Sequence, residues 1–503
     1  MNDGQLRRLL IDHSPWRSRM DWERDDPDLR AATALPLSYA PSPLVGISPP
    51  GLYVLRGPRR VGKSLELKRA IADLLAQGAE RKLVFFCACD GLTAQDLRRL
   101  VAAGHNAART LQGPRYWFLD EITAVRGWST AIKQLRDQHQ GFREACVVLT
   151  GSSARDLREA TKDLADRRGG AADSDRLLLP MSFRAFCQAL GDFDEAPVGH
   201  LRPRDMLTTS AARAIDELEP WSNALDDAWQ LYLSVGGFPR AVGEFVRDGS
   251  VGRGFVDGLW DVIAGDAIRG SDVTEAHVAA LLSRLSANLG SPVNASAIAT
   301  DIGLRDSDRV NQRIDDLTHS FLAWRCYRER SGRPNPAAQR KVYFVDPLIP
   351  QLVPLRTGAT PEPDMSLLSE QQIGLLLSRA ISLDRPSAFV ESDAVMYERT
   401  STGAEIDFVG PSLGIPFESK YEDKPWKRAT LTMRARHGRG VLVTRTPLQT
   451  SSSPDEHPVW AVPAGMLAWL LDRPEPRYVP TGTDGPPPSR RSKPRHSATG
   501  MRG

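Results

Sequence analysis

"GLYVLRGPRRVGKS", residues 51 to 64, decides the fold. "GLYVLRG" reads as a strand, and "LELKRAIADLLA", residues 65 to 76, has the apolar spacing of a helix. Between them, Gly57 to Ser64 fit the pattern GxxxxGK[ST]. The strand-loop-helix setting is what gives that pattern meaning. Gly57 and Gly62 let the backbone turn so that its N–H groups face phosphates, Lys63 reaches the β- and γ-phosphates, and the Ser64 hydroxyl can ligate Mg²⁺. Gly57, Pro58, Arg59, Arg60, Val61, Gly62, Lys63 and Ser64 are therefore the expected nucleotide-binding segment, with ATP and Mg²⁺ as the expected ligands.

Outward from the loop, short apolar runs alternate with helical patterns. "RKLVFFCA", "RYWFLDE" and "ACVVLTG" read as strands; "LTAQDLRRLVAA" and "STAIKQLRDQ" read as helices. This alternation predicts a parallel sheet with helices on both faces. The strand "YWFLDEI" ends in Asp120 and Glu121. Where a buried strand emerges beside a phosphate loop, Asp120 would hold Mg²⁺ and Glu121 would orient and deprotonate a water. Thr150, Ser152 and Ser153, ending the next strand, are candidates to sense the γ-phosphate, with helix capping the alternative for the two serines.

The chain has 503 residues, 41% apolar and 25% charged, which suits a multidomain globular protein. Its net charge of +3 neither demands nor excludes a nucleic-acid partner. The five cysteines form no CxxC pair and three lie in apolar runs, so buried reduced thiols are expected. The N-terminus "MNDGQLRRLLIDHS" lacks the apolar stretch of a signal peptide, and no run is long enough for a membrane span. A cytoplasmic protein without membrane contact is the expectation.

The segments "LRGPRRVGKS", "FLDEITAVRGW", "VVLTGSSA", "LLLPMSFRAF" and "LSVGGFPRAV" together resemble, in order, a bacterial and archaeal family of AAA+-type P-loop ATPases. The resemblance covers roughly residues 14 to 471. It implies a fold of class α/β, with an ASCE-type parallel sheet, a helical lid, a winged helix and a C-terminal restriction-endonuclease-like domain of unknown function. It also implies an Arg before "LLLPMSF" that acts on the γ-phosphate of its own or a neighbouring site. Arg167 or Arg168 in "LADRRGG" fits the place, although Asp166 stands where the family usually has Gly.

The expected domains are an N-terminal segment 1–35, an ATPase domain 36–190, a helical lid 191–270, a winged helix 271–355, a nuclease-like domain 356–475 and a basic tail 476–503. In the winged helix, "NASAIATDIG" and "DSDRVNQRIDDLTHS" are the expected helix pair, with Val310, Ile314 and Leu317 facing the core. The second helix offers Arg309 and Arg313 against Asp306, Asp308, Asp315 and Asp316, a balance that favours packing or protein contact over DNA reading. Around the wing "SGRPNPAA", Arg328, Arg330, Arg333, Arg340 and Lys341 form a better candidate for phosphate contact.

Residues 403–420 read "GAEIDFVGPSLGIPFESK". Strand alternation puts Glu405 and Asp407 on one face, and Glu418 and Lys420 on one face. Paired across "GPSLG", the two strands can bring Asp407, Glu418 and Lys420 together. Asp407 and Glu418 would bind Mg²⁺ and Lys420 would position a nucleophilic water, with Glu370 from an upstream helix completing the set as the resemblance implies. Trp426 and Trp469 are expected in the core of this domain, and Arg490, Arg491, Lys493 and Arg495 in a solvated tail. Two functions remain open: an ATPase coupled to a nuclease-like domain acting on DNA, or a nucleotide-driven switch that binds protein partners or itself and cuts nothing.

Overall fold

A computed structural model describes the chain apart from residues 152–156, 158–163, 172, 192, 194–195, 198–199, 269–272, 382–393, 423–426, 447–458 and 473–503, and without the side chains of 165, 266–268 and 427–429. Five parallel strands form the first sheet: β1 (Gly51–Arg56), β2 (Val84–Ala88), β3 (Tyr116–Asp120), β4 (Cys146–Thr150) and β5 (Asp175–Leu177), in the order β2-β3-β4-β1-β5. Strands β1 to β4 are almost wholly buried, which is why they read as continuous apolar runs. Strand β4 lies between β1 and β3. Register pairs Leu55 with Thr150 and Leu119 with Leu149, so the C-terminal ends of β1, β3 and β4 meet at one edge.

The polar, Pro-rich N-terminus belongs to this layer. Helix Asp3–Asp12 lies on helix Ala94–Ala107, and Leu6, Leu10, Trp16 and Trp22 are buried. Trp16 donates its indole N–H to the Val84 carbonyl at 3.1 Å. Few apolar residues occur here, but the large ones are placed where they cover the sheet.

Beyond residue 178 the chain builds a second core with members from Leu179 to Leu471, beside a small separate cluster of Met396, Ile406, Val409 and Met433. Helices Phe183–Ala189 and Thr209–Leu218 come first, then Ser222–Val235, Pro239–Asp248 and Arg253–Ile268, then Glu275–Ala287, Ala295–Ile302 and Ser307–His319. Val310, Ile314 and Leu317 are buried at the expected spacing. A hairpin follows, in which β6 (Ala323–Cys326) pairs with β9 (Lys341–Phe344) and β7 (Arg328–Arg330) with β8 (Arg333–Asn335). The tip of this hairpin joins a mixed seven-stranded sheet, because β7 also pairs with β10 (Met396–Arg399). Strands β11 (Glu405–Val409), β12 (Phe417–Ser419), β13 (Gly440–Thr444) and β14 (Val459–Pro463) complete the order β14-β13-β12-β11-β10-β7-β8. Helix Met365–Ile381 is buried along most of its length.

Helix Ala464–Leu471 closes the core. A Cβ at Gly465 would come within 2.5 Å of the Leu225 carbonyl oxygen, so the glycine lets two helix backbones touch. Trp469 is buried as expected: its indole N–H reaches the Pro197 carbonyl at 2.9 Å, and the Arg184 guanidinium lies 4.6 Å from its ring centroid. Gly465→Ala should lower the unfolding free energy by about 1 to 3 kcal/mol, the usual range for overpacking. Urea titration reads this directly, and an unchanged midpoint would mean that the helices separate at no cost.

Candidate functional site: a phosphate loop and a buried ion cluster

The loop after β1 has the backbone its glycines predict. Gly57 adopts φ 149° and a Cβ there would lie 1.9 Å from the Leu178 carbonyl oxygen; Gly62 adopts φ 102°. Arg60, also left-handed at φ 66°, is exposed, and its guanidinium lies against Gly258 of helix Arg253–Ile268, where a Cβ would meet it at 2.3 Å. Gly62 caps helix Lys63–Ala76 without a side-chain bond. Lys63 is 6% exposed and donates to the Gly57 and Pro58 carbonyls, both at 2.9 Å.

At the adjoining strand ends, Asp120 is 6% exposed and accepts a short hydrogen bond from the Thr150 hydroxyl. The same hydroxyl accepts the Glu121 N–H at 3.1 Å, and Glu121 itself is left-handed at φ 51°. Thr150 therefore fixes both acidic residues from the neighbouring strand. Ser64 and Asp120 offer only oxygen donors, a set that suits Mg²⁺. Bound there with a nucleotide, the ion would neutralise charge developing on the transferred phosphoryl group. Ser152 and Ser153 lie outside the described residues.

Arg167 corrects one expectation. Its guanidinium makes a bidentate pair with Asp137, at 3.0 and 3.2 Å, and its neighbour Gly169 bridges Gly51 at the start of β1. The phosphate loop leaves the other end of that strand, about 17 Å away at the usual rise per residue. Arg168 is likewise held, by Ser174 and by Asp175 at 2.9 Å, and its carbonyl accepts the Leu52 N–H. Both arginines are thus committed to carboxylates, Arg167 to Asp137 and Arg168 to Asp175. It is Asp137, more than Asp166, that ties Arg167 down.

In the C-terminal sheet the four expected residues do converge. Asp407 accepts the Ser419 N–H at 3.0 Å, Glu418 accepts the Asp407 N–H at 3.2 Å, and Lys420 contacts Glu418 at 2.9 Å and Asp407 at 3.6 Å. Glu370 joins them through a residue that sequence reasoning assigned elsewhere. Lys341, expected to face phosphate at the wing, is fully buried. Its ammonium lies 3.1 Å from Glu370, 3.1 Å from Asp407 and 2.6 Å from Glu405. Tyr343, two residues along β9, donates to Glu370 at 2.5 Å.

This arrangement sets a lysine beside Asp407, one of the two carboxylates expected to hold Mg²⁺. The Lys341 ammonium lies among Glu370, Glu405 and Asp407, and among the described residues no group of three or more His, Cys, Asp or Glu side chains is placed to hold a metal. Burial opposes the charge on Lys341, but Tyr343, Asp407, Glu370 and Glu405 around it outweigh that and hold its pKa above the ordinary value. Burial, and then the Asp407 charge, push Glu418 up to about 8, so at neutral pH it carries a proton. Ser419, where the resemblance leads one to expect an apolar residue, is buried with no partner for its hydroxyl among the described residues.

Residues 50–187 match the family model described as an AAA domain, and residues 226–352 match a domain of unknown function, DUF8612. The chain carries an AAA-type P-loop ATPase domain. No curated protein matches. Among solved structures, the Aeropyrum pernix ORC1 protein in complex with DNA is 16% identical, over 68% of this chain and 96% of that one, at a TM-score of 0.27. The ADPNP–ADP form of the Aeropyrum pernix ORC2 protein is 11% identical, over 63% and 91%, at 0.31. A point variant of Thermotoga maritima RuvB is 16% identical, over 67% and 95%, at 0.25. TM-scores this low carry no argument about function. Among the described residues no helix is long and apolar enough to cross a membrane. Trp426 and the basic tail, with Arg490, Arg491, Lys493 and Arg495, lie outside the described residues.

Two outcomes follow from these sites. Thr150→Val should leave ATP affinity within a few-fold by isothermal titration while cutting phosphate release at least tenfold; equal loss of both would remove the positioning role of Thr150. Because the folded pKa of Glu418 lies above its unfolded value, its contribution is complete below about pH 4.3 and is lost as pH rises through about 8. Glu418→Gln, which mimics the protonated acid, should therefore show a smaller fall in Tm between about pH 6 and 9 than the wild type. Parallel curves would count against a proton on Glu418.

Proposed function

We propose that this protein binds ATP, hydrolyses it with Mg²⁺ and works as a nucleotide-driven switch whose C-terminal half cuts nothing. Lys63, Ser64, Asp120 and Glu121 carry the nucleotide chemistry. On binding, Lys63 would exchange its two loop carbonyls for phosphate oxygens, and Glu121, aimed by Thr150, would orient the attacking water.

The observation that carries the switch is the pair of contacts made by the loop itself. Gly57 abuts the Leu178 carbonyl, and Arg60 lies on helix Arg253–Ile268. A loop that rearranges around phosphate must move against both, and interfaces packed this closely shift between discrete arrangements more readily than they deform. The ammonium at the centre of the Glu370, Glu405 and Asp407 carboxylates supports the reading without cleavage. A winged helix in residues 271–355 and a nuclease-like domain in residues 356–475 are parts of this proposal.

The experiment is hydrogen exchange across residues 253–268, with and without a non-hydrolysable ATP analogue, in the wild type and in Arg60→Ala. Nucleotide should raise protection in the wild type and leave the variant unchanged, each compared at a nucleotide concentration that titration shows to be saturating. Identical exchange in both wild-type states would refute the switch. Plasmid breaks that disappear in Glu418→Ala/Lys420→Ala would restore the nuclease reading.

A further inference from the structure

Strands β7 and β8 meet at a two-residue turn, Ser331–Gly332, with φ of 54° and 75°. Both residues at positive φ suit a tight type I′ turn, which sets two strands in close register. That register places Arg330 directly opposite Arg333. On the other side β7 runs parallel to β10 with Arg328 beside Tyr397. Side chains directly across neighbouring strands project from the same face. Arg330 and Arg333 are direct partners, and Arg399 lies two residues along β10 from the partner of Arg328, so the three group at one end of neighbouring strands about 5 Å apart.

All three are exposed. Like charges set opposite one another cost stability, so such a group is ordinarily relieved by carboxylates. Here the nearby described carboxylates are committed elsewhere. Glu329 accepts the Gly332 N–H, and Glu398 pairs with Arg436 and with His437 at 2.7 Å. Glu405, the register partner of Arg399, is turned to the buried Lys341 at 2.6 Å. No ion pair to Arg330, Arg333 or Arg399 occurs among the described residues. Arg328 steadies the group by donating to the Arg399 carbonyl at 2.8 Å.

We propose that this arginine group binds the phosphodiester backbone of a nucleic acid, without reading its sequence. Guanidinium groups present planar, always-charged forks that match phosphate oxygens. Several exposed arginines on neighbouring strands suit a polymer whose charges also recur along a line. The face is the sheet edge itself, and the Ser307–His319 helix takes no part. Arg313 there is buried and paired with Asp316 at 3.1 Å. The binding is independent of the ATPase and switch readings.

The test is anisotropy of fluorescein-labelled single-stranded and duplex DNA against the full chain, over a salt series, without nucleotide. The comparison is Arg330→Gln/Arg333→Gln/Arg399→Gln, with the triple Arg→Lys variant as a charge-keeping control. Three phosphate contacts should contribute about 2 to the slope of log affinity against log salt for a single strand, and nearly 3, roughly, for a duplex. The Gln variant should lose that slope, and the Lys variant should keep it. Retained ATP affinity by titration verifies that both variants are folded. An unchanged slope in the Gln variant, no binding by the wild type, or equal competition by polyglutamate would each overturn the proposal.

Discussion

Leu178 donates its N–H to the Arg56 carbonyl at 2.8 Å, and three residues later the Met181 N–H reaches the Gly237 carbonyl at 2.7 Å. Most of the molecule hangs on this short strap. At one end the Leu178 carbonyl closes against Gly57, leaving no room for a side chain. At the other, Gly237 fits under the Met181 backbone, where a Cβ would lie 2.4 Å from its carbonyl, and donates to Asp346 at 2.7 Å. Tyr232 adds a bond to the Met181 carbonyl at 3.0 Å. Asp346, fully buried, ties in the chain that follows β9, and burial pushes its pKa up to about 7 although the Leu348 and Gly237 N–H groups pull the other way. The segments "LLLPMSF" and "LSVGGFPRAV" are therefore the two sides of one joint.

Much of the nucleotide site was legible because its chemistry is local. Gly57, Gly62, Lys63 and Ser64 are neighbours in the chain, and the alternation of apolar runs was enough to place Asp120 and Thr150 at the same sheet edge. The direction of a loop between elements carried no such signal. Arg167 sits next to the right segment in sequence, but the chain returns to the start of β1 before entering β5, and Asp137 on another helix claims the guanidinium. Nothing in "LADRRGG" encodes that return.

The C-terminal cluster divides the same way. Two strands and a short turn sufficed to bring Asp407, Glu418 and Lys420 together, since alternation and hairpin pairing are short-range rules. Lys341 was invisible as a member because a lysine in a strand near a turn is ordinarily solvated. Its placement depends on β9 lying against helix Met365–Ile381 and β11, contacts between segments far apart in the chain. Alternation does put Lys341 and Tyr343 on one face, and a basic and a phenolic group together on a face otherwise expected in a core was the available hint. Buried ion clusters of this kind gain little net stability over well-packed apolar side chains, yet losing one member is costly because the remaining charges stay stranded.

The second core has a consequence for how the protein is made. Helix Ser222–Val235 finds its closest backbone neighbour in helix Ala464–Leu471, and Arg184 is held by the carbonyls of Trp469 and Asp472. These partners emerge from the ribosome hundreds of residues apart. The ATPase sheet can fold as soon as β5 is synthesised, whereas the helical region must wait, with its apolar faces uncovered, until translation has almost finished. Contacts of such long range are slow to form and leave partly built intermediates open to aggregation. Chaperone dependence should accordingly be concentrated in the second half of synthesis, and a ribosome stalled short of residue 464 would hold a finished ATPase sheet attached to an unfinished helical core.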